Sequence, residues 1–523
     1  MRGVVEEPLV PPLGGLDVGT VEPDMAPGYV PDTVNMLSRF GEFRTRPGME
    51  KARTTLLSGR PNGGITFKMS DGVGRIVVGT TTKLYRFTGT GVSEITGAGL
   101  TADADQHTRF TTFPTGTPIV NLLIAVNNTD SPKKWDGAAA GYSALGGTPP
   151  VARDLTVVGN YLLLANVVEG GNRAASRIRA CAFNNPESYP ANFTWDLLDT
   201  EDDIVAIRRL GRAIGIVYKG ESIWHAVLQA GILPFRFELV EETHGPVSPA
   251  AVVVVGGQHF YFGVDARVYR VTMGSVEPVS QRTDRKLQSD FLSARARRTF
   301  GFYRKADRTV WFVFPSAVGG TGNFGDDPSA AVSFQIDTGA LYIHEMPYSM
   351  TCGFRGDDYQ STTWGDLAAY ASWTAMAAAF PSWSTFGGDA APVEFLGRTN
   401  GQIYRLLEDR DDDGLPISMR WTYPRRFWSG LDQHHRFDAV EATFAQVAAG
   451  AVVTMKVGAS PTLGADPTFT TVGTHDTSLA TRQLAKLETP VEDRFLTIRF
   501  EASSSKAVRF LGGLAYAWAE RVP

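Results

Sequence analysis

DIVAIRRLGRAIGIVYKGESIWHAV, residues 203–227, and AAVVVVGGQHFYFGVDARVYRVT, residues 250–272, are the same short pattern written twice. Each copy runs an apolar strand into a glycine turn (Gly211; Gly256 and Gly257) and then a second strand rich in β-branched and aromatic residues. A tight turn follows (Lys219-Gly220; Val264-Asp265), then an alternating third strand. Apolar strands of this length joined by tight turns make an antiparallel meander, the unit of a propeller blade.

The pattern recurs on both sides. GITFKM, GRIVVGT and KLYRFT predict one sheet, with Tyr85-Arg86 placed like Tyr269-Arg270. TRFTTFP, PIVNLLIAVN and PKKWDG predict a second, and RDLTVVG, NYLLLANV and RIRACAFNN a third. The two opening copies are the fourth and fifth. RTFGFYRK, TVWFVFP, AVSFQID and ALYIHEM make a sixth, and MTCGFRG, VEFLGR and QIYRLLE share a seventh. The spacing of about 45 to 55 residues suits propeller blades. Gly 55 and Pro 30 in 523 residues also favour short strands joined by turns. The fold class expected is all-β, a propeller of six or seven antiparallel blades followed by a C-terminal β-sandwich.

Three regions stand outside the repeat. Residues 1–50 read as an extended Pro-, Gly- and acid-rich arm that lies on something else, ending in a hairpin turn at Phe40-Gly41-Glu42-Phe43 and a stop at Arg46-Pro47-Gly48. Within the propeller, residues 51–412, two insertions interrupt the rhythm. Residues 281–298 carry Leu287, Phe291 and Leu292 at helical spacing among Arg282, Arg285, Lys286, Arg295, Arg297 and Arg298, which predicts a short basic amphipathic helix. Residues 364–388 space Trp364, Trp373 and Trp383 almost evenly. Two readings of these indoles stand: anchors at an interface, or caps on the propeller's own core. From residue 413 to 523 clean alternation without the blade pattern predicts the sandwich.

Composition excludes some functions. A formal net charge of −5 gives no overall drive toward nucleic acid or an anionic membrane. Cys181 and Cys352 are expected as two buried thiols. The opening MRGVVEEPLVPPLGG lacks the basic head and apolar run of a secretory signal, and Leu367 to Phe380 is too short to span a bilayer. No P-loop, His-Glu-x-x-His, Gly-x-Ser-x-Gly or Cys-x-x-Cys occurs, so no catalytic residue and no cofactor is assigned. His434-His435 reads as part of a solvated turn. Asp409, Asp411, Asp413 and Gly414 imitate the first half of a calcium loop without its distal Glu, and a solvated acidic turn is the expectation, with no metal assigned. The basic segments, with Arg425-Arg426, lack interleaved aromatics and are expected at an interface with a neighbouring subunit.

GESIWHAVLQAGILPFRFELVEETHGPVSPAAVVVVGGQHFYFGVDARVYRV resembles the central part of the tail nozzle or hub proteins of short-tailed bacteriophages, also called packaged-DNA stabilisation proteins. The resemblance rests on Ser222-Ile223-Trp224, Phe235 to Phe237, Gly245 to Ala251 and Asp284 before a helix. Asn35 to Gly48 is similar to their opening signature, an Asn, a small hairpin and Arg-Pro-Gly. It implies a non-enzymatic virion protein: a propeller subunit of a homo-oligomeric ring, usually a hexamer, below the portal and adaptor, near tail fibre or needle proteins. Such a ring extends the DNA channel and closes it until ejection. The protein would be made in the host cytoplasm and reside in the virion tail, with no membrane partner. Duplex DNA must slide through the ring without being held, so a neutral or acidic bore is expected, with basic segments spent elsewhere. The rival expectations are a propeller glycan hydrolase or an adhesin with a carbohydrate-binding sandwich.

Overall fold

The computed structural model describes residues 3–88, 91–317, 326–358, 372, 374, 391–426, 433–446, 450–479 and 481–521. Trp364, Trp373 and Trp383 lie outside the described residues.

The repeats fold as antiparallel four-stranded sheets. Five are consecutive in sequence, with innermost strands Pro61–Lys68, Arg109–Thr115, Val151–Val158, Ile204–Arg209 and Val252–Val255. A sixth quartet starts at Phe300–Arg304 and ends at Leu341–Glu345. The seventh is Met350–Asp358, Ala391–Arg398 and Ile403–Leu407, completed on its outer edge by Gly48–Lys51 from the start of the chain. The ring of blades is therefore closed by strands from both ends of the propeller.

The apolar clusters explain why the circle closes. One core lies between each pair of successive blades, down to Ile76, Val78 and Phe87 of the first packing on Phe354 and Phe395 of the seventh. Each blade is thus covered on both faces, which favours largely apolar middle strands. Thr309–Pro315 and Pro328–Gln335 are accordingly buried along their whole lengths.

The arm is strand-forming. Gly3–Leu9 pairs antiparallel with Arg509–Arg521. Asp32–Val34 lies between Leu341–Glu345, to which it is parallel, and Ile417–Thr422, to which it is antiparallel. The sixth blade thereby continues into a nine-stranded sheet that ends in Phe495–Ser504, Val452–Ser460 and Thr468–Asp476. The expected hairpin is present as Met36–Arg39 and Glu42–Thr45, turning through Phe40 (φ 49°) and Gly41 (φ 82°), the two positive values of a tight hairpin turn. It joins a second sheet with Gln433–Phe444, Arg482–Asp493 and Arg509–Arg521. The two sheets share one core in which Trp421 stacks on Phe500 (5.0 Å) and meets Phe43 edge-on (5.6 Å).

Several expectations need correction. The first five blades have a fourth, outer strand that the three-strand reading of them omitted, for example Phe235–Glu241, whereas the sixth was read with all four. The basic insertion is a helix only over Asp284–Asp290, followed by a separate 3-10 turn at Ser293–Arg298. Phe291 already has extended dihedrals, although Leu287 is fully buried as its spacing required. His435 is buried within a strand and not in a solvated turn. Strand pairing also crosses the expected divisions at residues 50 and 412, since the arm supplies strands to the last blade and to both C-terminal sheets.

Candidate functional site

The basic segments find their counter-ions inside the chain. Arg282 reaches the buried carboxylate of Asp17 (3.2 Å) and lies 4.3 Å from the ring centre of Tyr29. Lys286 pairs with Asp290 (2.8 Å), Arg295 with Asp326 (2.7 Å), and Arg298 with Asp105 (2.6 Å) and Asp327 (3.0 Å). Arg425 holds Glu22 (2.6 Å) and Arg420 holds Asp32 (2.7 Å). The acids of the arm and the arginines that follow the propeller are complementary halves of one strap. Arg285 and Arg297 remain exposed.

The acidic turn is exposed at Asp409 and Gly414 and partly exposed at Asp411 and Asp413, while Asp412 within it is buried. Asp412 is 2% exposed and receives both terminal nitrogens of Arg46, at 2.9 and 2.5 Å. Asp409 pairs with Arg44 (2.8 Å), Asp413 with Lys51 (3.1 Å), and Asp411 accepts the Gly414 amide (3.1 Å). Three of these carboxylates, Asp409, Asp412 and Asp413, are thus paired with cations of the arm and the strand that follows it. Arg46 also donates to Asn35 Oδ1 (2.9 Å) and to the carbonyls of Pro47 (2.9 Å) and Glu345 (3.1 Å). Asn35, held at φ 59°, donates to the Ser418 carbonyl (2.6 Å) and accepts from the Glu345 amide (2.9 Å). The motif Asn35…Arg46-Pro47-Gly48 is therefore the hub at which arm, sixth blade, last blade and C-terminal sheets meet.

The second constellation lies at the mouth of the propeller, where the innermost strands begin. A cavity of about 190 Å³ is lined by the approach to the second blade (Asp103 to His107), the third blade (Arg153, Asn166, Arg173), and the segments entering the fourth, fifth and sixth (Asp203, Pro249, Arg297). Below it Asp154 pairs with Arg208 and faces Arg109 at 3.5 Å, and it accepts the Ile207 amide (2.8 Å). Burial, opposed by the Arg297 carbonyl that accepts from His107 Nε2 (3.0 Å), pulls His107 down to about 4, so the ring is neutral. Burial, reinforced by the charges of Arg297 and Arg173, lowers Arg153 to about 10. The mouth residues carry no local motif because each comes from a different strand, and sequence reasoning missed them.

No protein-family model matches the chain, and no curated protein matches it. Among solved structures it is similar to PorZ, a surface component of the type-IX secretion system of Porphyromonas gingivalis, at 9% identity over 81% of this chain and 46% of that one, TM-score 0.37. It is similar to the Pan2 WD40 domain of Neurospora crassa at 8% identity over 69% and 94%, TM-score 0.36. The extracellular domain of a putative hybrid two-component system from B. thetaiotaomicron matches at 8% identity over 71% and 40%, TM-score 0.39. The chain spans less than half of the first and third of these. Likeness at this level carries no functional statement, and the fold rests on the strand pairing itself.

Proposed function

We propose that the chain is a structural subunit of a bacteriophage tail, forming a ring below the portal and adaptor that extends the DNA channel and closes it until ejection. The observation that supports this reading most is the role of Asn35, Arg46 and Gly48. The segment that is similar to the opening signature of tail nozzle proteins is here the buried hub that locks the arm across propeller and C-terminal sheets. A motif spent on rigidity suits a wedge that must resist packaged DNA. A channel subunit also benefits from having most arginines of its basic segments, such as Arg282, Arg295, Arg298 and Arg425, matched within the chain, because unmatched cations facing the bore would retain phosphate backbone.

The experiment is DNA retention. Heads assembled without this protein are expected to fill and then lose their DNA, with retention restored by adding it back. Heads that stay full and infectious without it would overturn the proposal.

A further inference from the structure

The mouth of the propeller holds more positive charge than it neutralises. Of its acids, Asp105 is taken by Arg298, Asp154 is shared between Arg208 and Arg109, and the exposed Asp103 accepts the Asp105 amide (2.8 Å). Arg173 is fixed by neutral acceptors only: its Nη1 donates to the side-chain oxygens of Asn166 (2.6 Å) and Asn128 (2.9 Å). Among the described residues the guanidinium groups of Arg153 and Arg297 make no ion pair and no side-chain hydrogen bond, although Arg153 is half-buried on an innermost strand. Asp154 and, more weakly, Asp203 act on Arg153 only at longer range. Removing a guanidinium from water without giving it acceptors is unfavourable, and like charges beside it add to the cost. Arg153, Arg173 and Arg297, which face one polar cavity, are arranged to surround something negative.

We infer that this cavity binds a small oxyanion, a phosphate or carboxylate group, gripped by Arg153 and Arg297 with Arg173 held ready by its two asparagines. The inference goes beyond the tail reading and does not depend on it. The cavity is too small for a nucleic-acid strand to pass, and guanidinium forks match the paired oxygens of phosphate and carboxylate alike. The neutral, buried His107 leaves the recognition to the arginines.

The test is thermal unfolding and calorimetric titration of the full chain with inorganic phosphate and, separately, succinate, at constant ionic strength set with chloride. The expected result is a saturable rise in Tm and measurable binding for at least one anion, the stronger one identifying the head group. Arg153→Met and Arg297→Met should each weaken that binding at least tenfold, while Arg236→Met, on an exposed outer strand, should not. Arg153→Met should also melt no lower than the parent protein in anion-free buffer, because it removes a half-buried charge that makes no ion pair. A parent response no larger than that to chloride, or one that both mouth variants retain, would overturn the inference.

Discussion

Arg46 and Asp412 meet as a two-pronged ion pair with side chains only 2% and 3% exposed, although 366 residues separate them. Such a pair is secure only because every other donor of the guanidinium is also placed, on Asn35, Pro47 and Glu345. Removing one partner leaves a buried charge without compensation. Arg46→Met and Asp412→Asn should each cost about 3–5 kcal/mol in urea unfolding, and Arg46→Met with Asp412→Leu should recover much of that loss. Additive single effects would show that the two residues do not act as a pair.

Gly48 begins the strand that closes the seventh blade. A Cβ there would lie 2.1 Å from the Arg410 carbonyl oxygen and 2.3 Å from that of Asp411, both backbone atoms that cannot step aside. Gly48→Ala should therefore loosen the closure. Hydrogen exchange should accelerate first in Gly48–Lys51 and in its partner Ile403–Leu407, with the second and third blades unaffected.

The buried histidines predict acid sensitivity. Burial holds His107 and His259 down to about 4; His259 accepts from the Tyr218 hydroxyl (2.8 Å) and its Nε2–H donates to the Arg209 carbonyl (3.0 Å). A histidine depressed in the folded state binds its proton more readily unfolded, so stability rises with pH across the window from about 4 to 6.5 and is lost as pH falls through it. Each ring contributes up to about 3 kcal/mol. His259→Gln should flatten the dependence of the urea midpoint on pH over that window.

Glu394 has the opposite sign. Burial, outweighing the nearby Arg304, raises it to about 7, so the folded state holds the proton more tightly than the unfolded chain does. Stability contributed by this group is present below its ordinary pKa of 4.5 and declines as pH rises toward 7. Glu394→Gln should stabilise the protein at pH 8 relative to pH 5, which thermal unfolding at the two values will read.

Cys181 and Cys352 are free and buried, and burial pushes both thiols up to about 12. Thiolate is the reactive form, so neither should label with a maleimide in the native protein, while both should label in denaturant. Native labelling of either would indicate local opening of the third or seventh blade.

The blade pattern was legible because each blade is buried on two faces, which turns its inner strands into apolar runs such as Thr309–Pro315. The outer strands were not, because one side of Phe235–Glu241 faces water and Ser143–Ala144 has only two exposed residues. The turn at Phe40-Gly41 and the stop at Arg46-Pro47-Gly48 could be read locally. Their partners could not, since Asp412 and the strand Arg509–Arg521 lie hundreds of residues away and no spacing rule connects them. The burial of Asp412 was missed for the same reason: Asp and Gly favour turns whether or not a distant arginine arrives to bury one of them. Arg153, Arg173 and Arg297 left no trace because a mouth assembled from separate blades has no motif.

Ring formation is the claim on which the proposed role depends, and negative-stain images of the purified full-length protein test it most directly. The account predicts closed rings of one size, usually six-fold, with a bore wide enough for duplex DNA and the segment Arg282 to Arg298 away from its lining. Single particles of protomer size at every concentration, or rings whose bore is lined by those arginines, would contradict it.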